Sequence, residues 1–418
     1  MKLFPVVLTG VLCVLLSAGC RTYTGDFVQK TPEELAEMER QSQLAHKFFC
    51  NREFDSAEKL LSELVKERTV NLLLYQQELV AVLLMLNKHQ QALPFMLKQH
   101  QEWEFLLNPD LEETAKNLWH ADSDVYISPE YERALFYTLM ALSSLNEKRF
   151  DDALRSVKYG IAACSDKNAY NSQQAFNDVN AMDSKGYALL YYLGYLSAGR
   201  SGRRESAEAF WQKMLETIAQ QGAPQYKTGD DLQCYTHLRD LQANVLLVLW
   251  SGLPPVLSDD LVSGEKVIVR GSNPWDMLSV AVDGQQPLFF PPHLCNVDLL
   301  AAFQDGILRE NAKYSSEIKN NPDKSYRYWQ NLPGMISVLP LRITPGKHKI
   351  FLAGYNCSDR SMMKMYDIDV TADDINVINL SMMEKEKNLS GIRRQFWETE
   401  WQIILDQAEQ SRLVKELK

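Results

Sequence analysis

The side chains most able to do chemistry in this chain are seven histidines, seven cysteines and several paired aspartates, and their spacing assembles no complete site. His293 and Cys295 are separated only by Leu294, yet two ligands half-fill a tetrahedral metal site, and neither Cys-x-x-Cys nor His-Glu-x-x-His occurs. Asp122 with Asp124, Asp230-Asp231, Asp259-Asp260 and Asp373-Asp374 all stand beside expected turns or helix starts, where a carboxylate accepts backbone N–H bonds. The sequence also lacks Gly-x-Ser-x-Gly, a Gly-x-x-x-x-Gly-Lys phosphate cradle and Gly-x-Gly-x-x-Gly. The expectation is therefore no catalytic residue, no metal and no cofactor. One aromatic set, Trp275, Tyr326, Tyr328 and Trp329, has the faces to stack on sugar, and equally the apolar area to fill a core.

The N-terminus addresses the chain. Met1-Lys2 is a short basic start, Phe4 to Leu16 is apolar but too short to span a bilayer as a stable helix, and Ser17-Ala18-Gly19-Cys20 follows, as in a secretory signal with a small-residue cleavage site. These residues resemble a bacterial lipoprotein signal. The resemblance implies cleavage before Cys20, diacylglycerol on its sulfur, and, with Arg21 in place of the Asp that signals inner-membrane retention, an outer-membrane protein facing the periplasm. Cleavage takes away Lys2 alone among charged residues and moves the net charge from -10 to -11. With 45% hydrophobic and 23% charged residues the 418-residue chain has globular composition, and its acidity without a basic run excludes nucleic acid as a partner. Once Cys13 leaves with the signal and Cys20 carries lipid, Cys50, Cys164, Cys234, Cys295 and Cys357 remain; burial in helices suits the first three, and Cys295 with Cys357 is the one disulfide candidate.

The elements that position these residues change character along the chain. Residues 20–30 lack periodicity and read as a tether, and Thr31-Pro32-Glu33-Glu34 writes a capping box with Pro at the first helical position. Four segments then share one pattern of helix, short polar turn, and second helix opened by a buried Ala: Leu44–Ala57, Leu83–Ala92, Leu139–Ala153 and Leu193–Ala207. Gly199-Arg200-Ser201-Gly202-Arg203-Arg204 is the fourth turn. The segments look like tetratricopeptide repeats, and gaps of 35, 61 and 54 residues between successive alanines make the array irregular. Val245 to Trp250 is expected to end the closing helix, before Gly252-Leu253-Pro254-Pro255 breaks it.

Beyond about residue 260 the period becomes two. Lys266–Arg270, Leu278–Val282, Lys347–Leu352 and Met365–Val370 read as strands, with Asp283-Gly284 and Pro345-Gly346 as turns. Val280–Gly284, Leu341–Ile350 and Gly354-Tyr355 resemble the PEGA-type surface domain, an immunoglobulin-like or prealbumin-like module, here split by an insert with its own expected helix from Asp298 to Lys313. A last amphipathic helix carries Leu389, Ile392, Phe396, Ile403 and Leu405, with Trp397 and Trp401.

The expected architecture is multidomain, α then β. It comprises a signal (1–19), tether (20–30), irregular tetratricopeptide-like α-solenoid (31–256), small β-sandwich with an insertion (257–383) and C-terminal helix (384–418). Signal, repeats and β module together resemble poorly characterised bacterial lipoproteins of that layout. The expected function is a non-enzymatic, membrane-anchored scaffold with a protein or peptide partner in the repeat groove. The alternative is an envelope enzyme or glycan-binding protein acting on cell-wall material.

Overall fold

A computed structural model describes residues 30–106, 126–164, 187–220, 235–300 and 329–383, apart from short breaks within these ranges. Cys20, the tether up to residue 29, Cys234, Asp298 to Lys313 beyond Leu300, Tyr326, Tyr328, Cys357 and the C-terminal segment lie outside the described residues.

Among the described residues eight helices come first: α1 (Pro32–Cys50), α2 (Phe54–Leu64), α3 (Leu72–Met85), α4 (His89–Leu106), α5 (Glu130–Asn146), α6 (Phe150–Cys164), α7 (Ala188–Arg200) and α8 (Arg204–Gln220). They form four hairpins, at the four places where the Ala pattern put them. The Thr31 capping box closes as expected: Glu34 N–H donates to Thr31 Oγ1 at 3.2 Å and Thr31 N–H to Glu34 Oε2 at 2.8 Å. All four turns are built alike. Arg52, Asn87, Lys148 and Gly202 take positive φ of 65°, 56°, 58° and 75°. The next residue's N–H reaches back to Phe48, Leu83, Ser144 and Ala198 carbonyls, at 2.9, 2.8, 2.8 and 2.8 Å, so each first helix ends in a Schellman motif. Five residues after each left-handed residue stands the buried alanine, Ala57, Ala92, Ala153 or Ala207, whose small side chain lets the two helices approach.

Ten strands follow among the described residues: β1 (Val245–Ser251), β2 (Val256–Asp259), β3 (Lys266–Val269), β4 (Met277–Val282), β5 (Leu288–Phe289), β6 (Cys295–Asn296), β7 (Met335–Leu341), β8 (Gly346–Tyr355), β9 (Ser361–Val370) and β10 (Asn376–Met382). One mixed sheet has the order β10-β1-β7-β6, with β1 parallel to β10 and antiparallel to β7. The second, antiparallel, runs β5-β4-β8-β9, and β2 and β3 form a separate ribbon. Asp283 and Gly284, at φ of 49° and 70°, make the tight turn expected of an Asp-Gly pair.

The expectation of a helix ending at Val245–Trp250 is corrected here. That run is β1, the centre of the mixed sheet, and every residue of it is buried. An apolar run with both faces covered has neither a period of two nor one of 3.6, so periodicity does not separate strand from helix. The strand also moves the start of the β part back to residue 245. One face of the mixed sheet (Leu246, Val248, Trp250, Ile336, Val338, Val377) shares an apolar cluster with the helices. The other face (Val245, Leu247, Leu249, Leu339, Leu380) packs on Leu278, Val280, Ile350, Leu352 and Ile368 of the second sheet.

Candidate functional site

The first helices of the hairpins, α3, α5 and α7, are apolar and almost wholly buried. Two acids interrupt them. Glu78 on α3 and Glu132 on α5 are 3% and 0% exposed, and both turn toward residues 329–331, a strap with a turn at Gln330-Asn331 that leads toward β7. Glu78 Oε1 accepts the Gln330 N–H at 2.6 Å and its Oε2 accepts the Asn331 N–H at 3.0 Å. Glu132 Oε1 accepts the Trp329 N–H at 3.0 Å and the Tyr131 hydroxyl at 3.2 Å, while its Oε2 takes a very short bond from the Tyr126 hydroxyl. From α1, His46 Nδ1 meets Asn331 Oδ1 at 2.8 Å. Three consecutive backbone donors that no strand pairs are thus satisfied by side chains of the helical array, which is what a largely buried segment outside any strand requires.

Burial is the main force on both carboxyls, raising Glu78 to about 8 and Glu132 to about 7. The strap amides oppose that rise in both, and the two acids raise it through mutual repulsion at Glu78. Among the described residues neither acid has a salt-bridge partner.

The second contact is at the sheet edge. On its side away from β1, β10 offers unpaired backbone groups, and side chains at the hairpin turns read them. Asn379 N–H donates to Asn87 Oδ1 at 2.8 Å, and Val377 N–H donates to Asn146 Oδ1 at 2.9 Å. Val377 O lies 2.9 Å from His89 Nε2; a carbonyl only accepts, so Nε2 carries the proton. Burial lowers His89 to about 4, which keeps the ring neutral. A cleft of about 170 Å³ opens beside this edge, lined by Arg52, Met85, Tyr366, Asp367, Asn379 and Ser381 among others, with the Arg52 guanidinium 4.8 Å from the Tyr366 ring centre.

These contacts decide what the inner face of the array can do. The face expected to take a partner is filled, in the described residues, by the chain's own strap and β10. Of the aromatic set, Trp275 and Trp329 are 5% and 0% exposed, so these two fill the core and present no ring face to solvent, while Tyr326 and Tyr328 lie outside the described residues. Trp329 instead packs near Phe136, with ring centres 6.4 Å apart.

Cys295 is a buried free thiol on β6, in the cluster shared with the helices, and its expected partner Cys357 lies outside the described residues. Cys50 and Cys164 end α1 and α6, half-buried on helices as expected. Of the aspartate pairs and the His293-Cys295 pair, only Cys295 has a described side chain, and no group of three metal-ligating side chains exists among the described residues. No family model, curated protein or solved structure matches the chain.

The clasp itself was not anticipated. Glu78 and Glu132 do carry a signal: Glu78 stands inside the apolar run Leu72–Met85, where a lone acid must find a buried donor.

Proposed function

We propose that the chain is a cell-envelope lipoprotein, anchored through acylated Cys20 to the outer membrane and facing the periplasm, which acts as a non-enzymatic protein-interaction scaffold. In this reading the four hairpins are degenerate tetratricopeptide-like repeats, and the two packed sheets are a PEGA-like β-sandwich carrying an insertion. Because the inner face of the hairpins is occupied by the chain itself, the partner takes the outside of the second sheet. The observation that carries this is the exposure of three large apolar side chains on the outer face of that sheet: Met277 (45%), Phe289 (49%) and Met365 (44%). Apolar groups clustered on one surface of a water-soluble fold favour a protein contact.

Photo-crosslinkers placed at Phe289 and Met365 in cells test the reading, with Glu205 at the start of α8 as the control position. The expected result is a discrete protein adduct from the two sheet positions and none from the control. Retention of glycan fragments without protein would favour the enzyme or glycan-binding alternative. Labelled palmitate should enter the wild-type protein and not Cys20→Ser; its absence from both would remove the anchor.

A further inference from the structure

We propose that Glu78 and Glu132 form a pH-responsive clasp: while one of them is protonated the strap 329–331 stays on the helical array, and when both ionise the strap comes away from it.

The geometry supplies the reasons. The two acids grip consecutive amides, Glu132 at Trp329 and Glu78 at Gln330. Neighbouring amide nitrogens are at most about 3.6 Å apart, so the gripping oxygens stand within about 9 Å of one another. Both carboxyls lie buried in an apolar cluster, with Phe136 and Trp329 beside them. The ionisable and charged neighbours come from every described element around the pair, and none among the described residues neutralises it directly. From α1, Glu39 adds a further negative charge against Glu78, and His46 engages Asn331. Tyr126 and Tyr131 donate to Glu132, and Arg133 on α5 lowers Glu132 from a distance while its own Nη1 donates to Ser128 O at 2.7 Å. The strap supplies only backbone donors. A single carboxylate is well served by these donors, whereas two like charges in one buried site, with no cation paired to them among the described residues, repel each other. The burial of both groups places that second ionisation near neutral pH. Residues 329–334 are the described backbone leading into β7, so release of the strap withdraws its amides from α3 and α5 while β10 keeps its bonds to Asn87, His89 and Asn146. The clasp depends only on these contacts and not on the scaffold reading.

Hydrogen exchange of the full chain, corrected for intrinsic rates, measures it directly. Between about pH 6 and about pH 9, protection of the Trp329, Gln330 and Asn331 amides should fall at least about tenfold, while amides of β4 and β8 keep theirs. Glu132→Gln retains an acceptor for Trp329 N–H and removes one charge, so its strap protection should be flat over the same range. Wild-type protection that stays flat, or a fall in Glu132→Gln equal to that of the wild type, would overturn the clasp. Should Glu132→Gln not fold, the infrared band of protonated carboxyl in the wild type decides. Its loss must coincide with strap opening, and loss without opening, or opening without loss, overturns the proposal.

Discussion

Glu132 shows how much one side chain holds when it is buried. It accepts from Trp329 N–H and from the Tyr126 and Tyr131 hydroxyls, and Glu132→Ala removes that acceptor from a fully buried site. Each orphaned donor costs about 1–3 kcal/mol, so the urea midpoint should drop clearly with little change in m. Protonation gives a second expectation at this scale. Both acids bind their protons more tightly in the folded chain than at the usual 4.5, so folding takes up protons. Their contribution to stability is full below about pH 4.5 and declines as pH rises through about 7 and about 8. Chemical denaturation across that range should show the decline, and Glu78→Gln should reduce its slope. Gly194 is a residue of a different kind. A Cβ there would come 2.5 Å from Phe210 Cδ1, in a ring that is fully buried between α7 and α8. Gly194→Ala should therefore cost about 1–3 kcal/mol from overpacking, read from the thermal midpoint.

At the scale of the element, the hairpin turns explain why the helices were legible. The buried alanine five residues past a left-handed residue is a local requirement of two helices packed at close range, and the chain writes it four times in Ala57, Ala92, Ala153 and Ala207. Three of the left-handed positions are not glycine. Lys148→Gly removes the Cβ from a φ of 58° and should stabilise the protein by about 0.5–1 kcal/mol, provided that calorimetry shows a raised midpoint. Asn87 is the exception, since its side chain also accepts from Asn379 N–H on β10. Asn87→Ala should lose about 1–3 kcal/mol for that orphaned donor, where the same change at an exposed turn would cost less. The strands divide by burial. β8 and β9 face solvent on one side for part of their lengths, as Asp367 and Asp369 alternate with buried Ile368 and Val370, and their period was readable. β1, β7 and β10 are buried along their whole lengths and carry no alternation to read.

For the whole molecule, the division into a helical unit and a β unit holds in chain order but not in the core. Leu246, Val248, Trp250 and Val377 of the mixed sheet belong to the same apolar cluster as Leu79, Val82, Phe136 and Leu190 of the helices. A core shared in this way unfolds together. Far-ultraviolet circular dichroism, which follows the helices, and near-ultraviolet signals of the buried Trp250 should give coincident thermal transitions. A chain ending at residue 220 should aggregate, because the faces of α3, α5 and α7 would then meet water.

Local chemistry was enough to determine from sequence the capping box at Thr31, the four hairpins, the Asp283-Gly284 turn and the one-sided strands, because each is a pattern between residues close along the chain. The order of the strands, the identity of Val245–Ser251 as a central strand, and the occupation of the inner helices by residues 329–331 and β10 were decided only in three dimensions. These contacts join positions separated by well over a hundred residues, such as Glu132 with Trp329 and Asn87 with Asn379. A buried acid or asparagine states that it needs a partner, and the folded chain alone says which backbone supplies it.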